Sequence, residues 1–350
     1  MKTSYLLLSA AIITALSSCH KDDEEVIINE IHVDTTVVYA PSYIIEDLEE
    51  VTSDIRPAFL QKGDKVAVCA ISNSVSESDV KDGEETLKAW GLEVLEASNL
   101  YAQDSRYAGS LKERISGLQE MLDDESVRAI FFARGGYGAA QVLPFLDWEK
   151  FKKSPKWIIG YSDVTALHIT LNNMGYETIL GPMMKGFNKD AESVEMLKDI
   201  LFGNLNTISM DKNSDCTPGN ATARLVGGNL SLLYALSGTA FDINTKNSIL
   251  FIEDTGEANY SVDRMLLNLQ QSGKLQNIKG VIVGEFIGGS QGSDLPLNEI
   301  FAKYFSPLNV PVFNGLPNGH DTKNYPIILG SKITLSVGEK AEIIYPQTAK

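Results

Sequence analysis

Ser162 lies in a segment whose pattern predicts a strand-to-helix turn, a place where a serine can act as a nucleophile. Residues 157–159 are apolar and predict the end of a buried strand, Gly160 permits a tight turn, and apolar residues recur at helical spacing from Val164 onward. Such a turn would expose the serine Oγ at the sheet edge and leave free N–H groups for an oxyanion. Ser162 could equally be only the N-cap of the helix, since Val164 replaces the last glycine of the usual G-x-S-x-G motif.

A serine nucleophile normally needs a general base, and the chain has only four histidines, at positions 20, 32, 168 and 320. The first two fall in a segment that is predicted below to be a tether. His168 follows Ser162 by six residues, which places it on the opposite side of the same helix. His320 remains, in a Gly/Pro/Asn-rich loop after an apolar strand-like run, where either a catalytic or a solvated histidine can be found.

A carboxylate at the end of a buried strand is the usual group that orients such a histidine. The run 248–252 is mostly apolar and is followed by Glu253 and Asp254, and a second such run ends at Glu285. Each of these acids can also be a simple charge at a strand end. Glu253 is the first choice, with Asp254 and Glu285 as alternatives.

A glycine-rich turn follows another apolar run, residues 129–133, and leads into a helical pattern. The turn contains Gly135, Gly136 and Gly138, which allow backbone N–H groups to approach a phosphate or an oxyanion closely. The spacing does not fit the G-x-G-x-x-G motif of dinucleotide-binding folds. A loop of this kind is by itself a weak signal.

Taken together, these segments resemble the LD-carboxypeptidase family of serine peptidases, which includes the microcin-C immunity peptidases. The resemblance covers roughly residues 57–345. The motifs that carry it, in chain order, are Arg134 to Gly138 with Leu143-Pro144 and Leu146 to Trp148, Gly160 to Asp163 with Thr165 to His168, Gly181 to Met183, Gly227 to Leu230, Leu250 to Asp254 with Asp263 to Leu266, and Gly319-His320 with Asn324 and Pro326 to Gly330. The family tends to have a proline where this chain has Ile71 after the first strand.

The resemblance implies Ser162 as nucleophile, His320 as general base and acid, and Glu253 as the residue that orients His320. It also implies an oxyanion hole formed by the backbone N–H of Asp163 and of a glycine in the turn, assigned to Gly136. The candidate substrate-binding residues are Arg134, Tyr137 and Asn229, with Arg264 as another possible carboxylate ligand.

The activity implied by the resemblance is cleavage between an L-configured centre and a terminal D-amino acid of a murein peptide through an acyl-enzyme. A microcin-type peptidyl-conjugate hydrolase and a non-catalytic muropeptide-binding lipoprotein are the alternatives. Neither a cofactor nor a metal is expected, and the family tends to form homodimers.

The N-terminus predicts a bacterial lipoprotein. Residues 1–18 have Lys2 and an apolar stretch, which is typical of a secretory signal peptide too short to span a membrane. The following Leu-Ser-Ser-Cys resembles a lipobox with Cys19 as the lipidated residue, and the acidic residues 22–25 resemble the surface-export signal of Bacteroidota lipoproteins. We therefore predict a protein anchored by lipid in the cell envelope, either periplasmic or surface-exposed.

The charge and the cysteine content argue against a nucleic-acid partner, a disulfide and a metal cluster. The net charge is −16, and residues 20–58 contain eleven acidic residues against two basic ones, which favours a solvated tether over residues 19–56. Nucleic acid is not expected as a partner because the chain lacks basic patches that would neutralise phosphates. Apart from Cys19, only Cys69 and Cys216 remain, and their contexts suggest neither a disulfide nor a metal cluster.

The body is long enough for two domains. Residues 57–182 alternate strand and helix patterns, which predicts an α/β domain with a doubly wound parallel sheet. A linker is assigned to residues 183–200. Residues 201–350 are richer in short β segments and predict an α+β or small barrel-like domain. Because the nucleophile is in the first domain and the other two triad residues are in the second, the site is expected at the interdomain cleft.

Overall fold

Two β-sheets flanked by helices make up the computed structural model, which describes residues 49–289 and 295–346. The first sheet has the strand order β11-β5-β4-β3-β1-β2, and its first five strands along the chain run parallel. Its strands are β1 Lys65–Cys69, β2 Glu93–Glu96, β3 Val127–Phe132, β4 Trp157–Gly160, β5 Thr178–Leu180 and β11 Ile327–Leu329. The predicted parallel sheet is thus confirmed.

Helices cover both faces of this first sheet. They are α1 Glu77–Ala89, α2 Leu111–Asp123, α3 Ala139–Val142, α4 Glu149–Lys153, α5 Thr165–Asn173 and α6 Ala191–Leu201. Strand β1 shows why both faces need cover: Val66 and Val68 pack in one hydrophobic cluster, whereas Ala67 and Cys69 pack in another. Alternate side chains of a strand point to opposite faces, so an apolar run without polar alternation belongs in the middle of a covered sheet.

The second sheet has the order β10-β9-β8-β7-β12-β13-β6, with β7 to β10 parallel and the remaining pairs antiparallel. Its strands are β6 Ile208–Asp211, β7 Gly219–Asn229, β8 Ser248–Thr255, β9 Gly280–Ile287, β10 Val312–Asn314, β12 Lys332–Val337 and β13 Lys340–Ile344. Its helices are α7 Leu230–Leu236, α8 Asn259–Gln271 and α9 Leu297–Phe305. This mixed sheet with helices fits the α+β prediction, and a bridge between Thr217 and Val312 joins its β10 edge to the chain before β7.

Two segments differ from the predicted division of the chain. The predicted linker 183–200 contains most of helix α6, whose Leu197 and Ile200 are buried in a hydrophobic cluster. Residues 201–350 were assigned as a whole to the second domain, but β11 pairs antiparallel with β5 and so extends the first sheet. Ile327, Ile328 and Leu329 are fully buried there. A three-residue apolar segment gains the same burial on either sheet, so its sequence does not indicate which one it joins.

The two sheets meet near the predicted nucleophile. The main-chain N–H of Asn229, at the end of β7, donates to Thr165 Oγ1 at 3.0 Å, and Thr165 is the first residue of α5. Gly228 makes this approach possible, because a Cβ there would lie 2.5 Å from Thr165 Cγ2. The carboxyl ends of β4 and β8 are therefore brought to one region of the molecule, as expected for sites in parallel sheets.

Among the residues that the structure describes, no helix combines the length and apolar character needed to span a membrane.

Candidate active site

Ser162 follows β4 in a backbone conformation that serine rarely adopts. Its φ is 62°, and it begins a short 3-10 turn, Ser162–Val164, which leads directly into α5. A side chain in the left-handed region is strained, and such strain is concentrated at functional sites. The helix-cap interpretation gains no support, since the N-cap residue of the 3-10 turn is Tyr161 and that of α5 is Val164. The turn has the form of a nucleophile elbow.

His320 and Glu253 form a hydrogen-bonded pair. His320 Nδ1 lies 2.8 Å from Glu253 Oε2, and the carboxylate side chain is fully buried while the imidazole is 17% exposed. Glu253 is in β8, and His320 is in the loop between β10 and β11. Burial lowers the pKa of His320, but the hydrogen bond and the negative charge of Glu253 outweigh it, so that the pKa lies above its usual 6.5. The pair leaves Nε2 free to exchange a proton with a neighbouring group.

Tyr161 joins the turn at Ser162 to His320. Its ring packs edge-on against the His320 ring with the centroids 4.9 Å apart, and Tyr161 directly precedes Ser162. Burial, and to a smaller extent the charge of Glu253, raises the pKa of Tyr161 to about 12, so its hydroxyl stays protonated at neutral pH. The contact brings together the chain segments that carry two of the three predicted triad residues.

Asn229 supports the buried acids. Its Nδ2 donates to Glu253 Oε1 at 3.2 Å and to Asp254 Oδ1 at 3.0 Å, and its Oδ1 accepts from the N–H of Leu232. Asn229 was predicted to bind substrate; in the structure its amide contacts the acids and caps α7. Asp254, the alternative to Glu253, accepts from both the N–H and the hydroxyl of Ser231. Burial raises the pKa of Asp254 to about 6. The hydrogen bond from Ser231 lowers this pKa in part, and the negative charge of Glu253 raises it further.

Glu285, the other alternative acid, holds the histidine loop instead of the histidine ring. Its Oε2 accepts the main-chain N–H of Asp321 at 3.1 Å. Burial raises the pKa of Glu285. The hydrogen bond from Asp321 lowers it in part, and the negative charges of Asp321 and Glu253 raise it further. Of the three acids proposed from the sequence, Glu253 is the one hydrogen-bonded to His320.

The glycine-rich turn lies beside Ser162. A Cβ at Gly135 would be 2.9 Å from Ser162 Cβ and 3.0 Å from its Oγ, so only a glycine leaves room for this serine. Gly136 has φ of 120° and lies against the Asn73 side chain, which would be 2.3 Å from a Cβ at that position. The glycine-rich turn and Asp163 therefore lie beside the serine on two chain segments, which is where the oxyanion hole was predicted.

Two of the other candidate substrate-binding residues lie at this turn, and a third lies within α8. Arg134 is half-buried and donates to the carbonyl of Ser74 at 3.3 Å. Tyr137 is 47% exposed, with its ring centroid 6.3 Å from that of Tyr107. Arg264 lies over the Tyr260 ring at 5.6 Å and donates to Ser261 Oγ.

A small cleft beside Tyr161 contains cationic residues that the sequence analysis did not select. Lys185 and Lys189 line it together with the acids Asp190 and Asp321. Lys185 pairs with Asp79 at 2.9 Å. Single lysines in polar loops carry no sequence signal of function, and only the fold brings them beside Tyr161.

The remaining predicted groups lie apart from this chemistry. His168 is completely buried, and its Nε2 contacts the carbonyl oxygen of Gly160 at 2.9 Å; burial lowers its pKa to about 4 despite that hydrogen bond. Cys69 is buried, Cys216 is half-buried, and both are free thiols. No cluster of potential metal ligands occurs within residues 49–289 and 295–346. Cys19, His20 and His32 lie outside the described residues.

Comparison with known proteins identifies the family. The model of the LD-carboxypeptidase N-terminal domain matches residues 66–181, and that of the C-terminal domain matches residues 222–335. A Bacillus subtilis (strain 168) protein named as a probable murein peptide carboxypeptidase is 32% identical over 300 residues, which cover 83% of this chain and 94% of that protein. This chain belongs to the LD-carboxypeptidase family. The assignment places it among the peptidases and confirms the resemblance found from its motifs.

Solved structures agree with this membership of the LD-carboxypeptidase family. Muramoyltetrapeptide carboxypeptidase from Oxalobacter formigenes superposes with a TM-score of 0.75 at 26% identity, covering 81% of this chain and all of that one. An MccF-like protein from Bacillus anthracis superposes with a TM-score of 0.74 at 25% identity, covering 84% of this chain and all of that one. The two-domain fold of the family is therefore shared along most of the chain.

Proposed function

We propose that this member of the LD-carboxypeptidase family is a serine-type enzyme that removes the terminal D-amino acid from murein peptides. The observation that carries the proposal is the His320–Glu253 pair at 2.8 Å, placed beside a strained serine turn. A pure binding protein would have no need for a strained serine, a polarised imidazole and a buried carboxylate together.

In the proposed reaction, Ser162 Oγ attacks the carbonyl carbon of the scissile bond while His320 Nε2 takes the serine proton. Glu253 accepts the hydrogen bond from Nδ1 and stabilises the imidazolium that forms. The N–H groups of Asp163 and of Gly136 would donate to the tetrahedral oxyanion. The imidazolium then protonates the leaving amine, and a water activated by the same histidine releases the peptide from the acyl-enzyme.

A carboxypeptidase must also recognise the free carboxylate at the end of its substrate. The cleft beside Tyr161 presents Lys185 and Lys189 near the nucleophile turn, and Arg134 lies at the start of the glycine-rich turn. Lysine binds a carboxylate as a point charge, whereas arginine can bind both oxygens. We propose these cations as the source of the specificity for a terminal carboxylate, which an internal peptide bond lacks.

The proposal is tested by incubating the protein with murein tri-, tetra- and pentapeptides and identifying the products by mass. Loss of a single terminal D-alanine from the tetrapeptide is the expected result. Ser162→Ala is expected to abolish the reaction while substrate affinity and thermal stability stay nearly unchanged. Turnover near that of the wild type in Ser162→Ala would contradict the assigned nucleophile.

Similarity to the MccF-like structure favours one second candidate, hydrolysis of a peptidyl conjugate with the same triad. A microcin-type aminoacyl conjugate added to the same assay distinguishes the two. Cleavage of the conjugate without cleavage of the tetrapeptide would select the second candidate. Binding of tetrapeptide without cleavage would support the muropeptide-binding lipoprotein.

We also propose that the enzyme is held in the cell envelope by lipid on Cys19. The support is the sequence alone: a short apolar leader, the Leu-Ser-Ser-Cys motif and an acidic segment that follows it. Murein lies outside the cytoplasmic membrane, so an exported and anchored protein would be in the compartment of its proposed substrate.

A further inference from the structure

The side chain of Asp163 connects the two halves of the proposed oxyanion hole. Asp163 directly follows the nucleophile Ser162, and its carboxylate is completely buried. Its Oδ2 accepts the main-chain N–H of Ala139 at 2.8 Å and also accepts the hydroxyl of Ser72. Ala139 is the first residue of α3, immediately after the glycine-rich turn. The residue that offers its own N–H on one side of the hole thus binds the segment on the other side.

The same peptide group is held from its opposite end by Arg114. The guanidinium Nη1 donates to the carbonyl oxygen of Gly138 at 3.1 Å, and this side chain is itself 3% exposed. The carbonyl of Gly138 and the N–H of Ala139 belong to one peptide plane. Since Arg114 fixes its oxygen and Asp163 fixes its N–H, the plane at the end of the glycine-rich turn cannot rotate without breaking a buried hydrogen bond.

Burying a carboxylate here is unfavourable unless the contacts compensate for it. Burial raises the pKa of Asp163, while the hydrogen bonds from Ser72 and Ala139 and the charge of Arg114 oppose the rise. Glycines at positions 136 and 138 have φ of 120° and 149°, so the turn has little conformational preference of its own. A turn that must present an N–H to an oxyanion therefore needs external contacts to fix its orientation.

We propose that the Asp163 side chain is a positioning residue that fixes the glycine-rich turn relative to Ser162 and so sets the spacing of the two oxyanion donors. The inference rests on the proposed function. It predicts that loss of the carboxylate slows acylation more than it weakens substrate binding, because the support that is lost acts at the Ala139 end of the turn, whereas Arg134 at the other end is held by the Ser74 carbonyl.

The test compares Asp163→Ala with Asp163→Asn on a murein tetrapeptide. The alanine variant is expected to lower kcat by about 10² or more, the order of losing one oxyanion donor, with KM within about threefold. The asparagine variant keeps an oxygen that can accept from both Ser72 and Ala139, and is expected to retain kcat within about tenfold. A peptide boronate that mimics the tetrahedral adduct should lose affinity for Asp163→Ala in parallel with kcat/KM.

Folding is monitored by the thermal transition, and Asp163→Ser serves as a second variant because its shorter side chain leaves space for a water. Should the alanine variant fail to fold, the serine variant is expected to show the same loss of kcat and boronate affinity. A folded variant of either kind with kcat within threefold of wild type would overturn the inference. If Ser162→Ala keeps turnover, or wild type leaves the tetrapeptide intact, it is the proposed function that fails.

Discussion

His320 and Glu253 are 67 residues apart in the chain, yet His320 Nδ1 and Glu253 Oε2 lie 2.8 Å from each other. The carboxylate comes from a buried parallel strand and the imidazole from a loop, so the hydrogen bond to the buried carboxylate holds the ring in one orientation. This division of roles fixes which ring nitrogen faces away from the acid and toward the reacting groups.

Glu253→Gln keeps the size of the side chain but removes the charge that stabilises the imidazolium. We expect kcat on a tetrapeptide to fall by about 10² to 10⁴, with a smaller effect on KM, because a neutral amide can also favour the wrong tautomer. Steady-state kinetics of the purified variant checks this. A rate close to wild type would show that Glu253 is not the orienting acid.

Glu285→Gln is the matched control. Glu285 accepts a hydrogen bond from the Asp321 N–H and not from the imidazole, so kcat should stay within roughly a few-fold of wild type. A large loss of kcat in Glu285→Gln, with kcat of Glu253→Gln close to wild type, would show that Glu285 and not Glu253 is the acid of the triad.

The pH dependence of kcat/KM reports the titration of His320 in the free enzyme. The general base must be neutral, so activity rises with pH, and the raised pKa of His320 places the acidic midpoint above 6.5. In Glu253→Gln the imidazolium loses its anionic partner, and this midpoint should move to lower pH. An unchanged midpoint in the variant would contradict the assignment of the acidic limb to His320.

Gly135→Ala tests the close approach of the glycine-rich turn to the nucleophile. The added methyl group would lie 2.9 Å from Ser162 Cβ and 3.0 Å from its Oγ, so the serine must shift. We expect kcat to fall by about 10² or more, since small displacements of a nucleophile are costly. Gly338→Ala is the control, because a Cβ there meets nothing within 4 Å, and it should leave both rate and stability unchanged. Equal rates for the two variants would argue against the contact.

Much of the fold could be predicted, and candidates for the triad could be proposed, because the signals are local. Buried parallel strands appear as apolar runs, and the catalytic candidates lie near the ends of such runs. Ser162 follows Tyr161 after the end of β4, and Glu253 is near the end of β8. Scarcity of histidine then left His320 as the one suitable base.

The features of the site that could not be predicted depend on contacts between segments that are distant in the sequence. Asn229 was selected as a substrate ligand, but its position between Glu253 and Asp254 follows from the register of β7 against β8. The contact of Asp163 with Ser72 and Ala139 joins segments that share no pattern in the sequence. Side-chain hydrogen bonds of this kind are determined by packing of the finished fold, and neither periodicity nor composition encodes them.

Cys19→Ala tests the proposed anchor. The substitution removes the thiol that would carry the lipid, so labelling with a fatty-acid analogue should disappear and the protein should move to the soluble fraction. Hydrolysis of the tetrapeptide should be retained by this variant, since the catalytic residues are untouched. Labelling that persists in Cys19→Ala would show that the lipobox assignment is wrong.

His168→Gln should change how stability depends on pH while leaving turnover within a few-fold. The buried imidazole contacts the Gly160 carbonyl, and its pKa is lowered from 6.5 to about 4. Folding therefore favours the neutral imidazole. The resulting contribution to the free energy of unfolding is complete above pH 6.5 and is lost as the pH falls toward 4. The loss amounts to roughly 3 kcal/mol if the unfolded histidine titrates normally.

Glutamine can donate to the same carbonyl but does not titrate, so the variant removes this proton linkage while keeping the contact. Urea unfolding of both proteins between pH 4.5 and 7.5 measures the difference directly. Stability of the wild type should fall more steeply than that of His168→Gln as the pH is lowered, and the two curves should run parallel above pH 7. Parallel curves over the whole range would mean that His168 gains its proton in the folded protein without penalty, contrary to its complete burial.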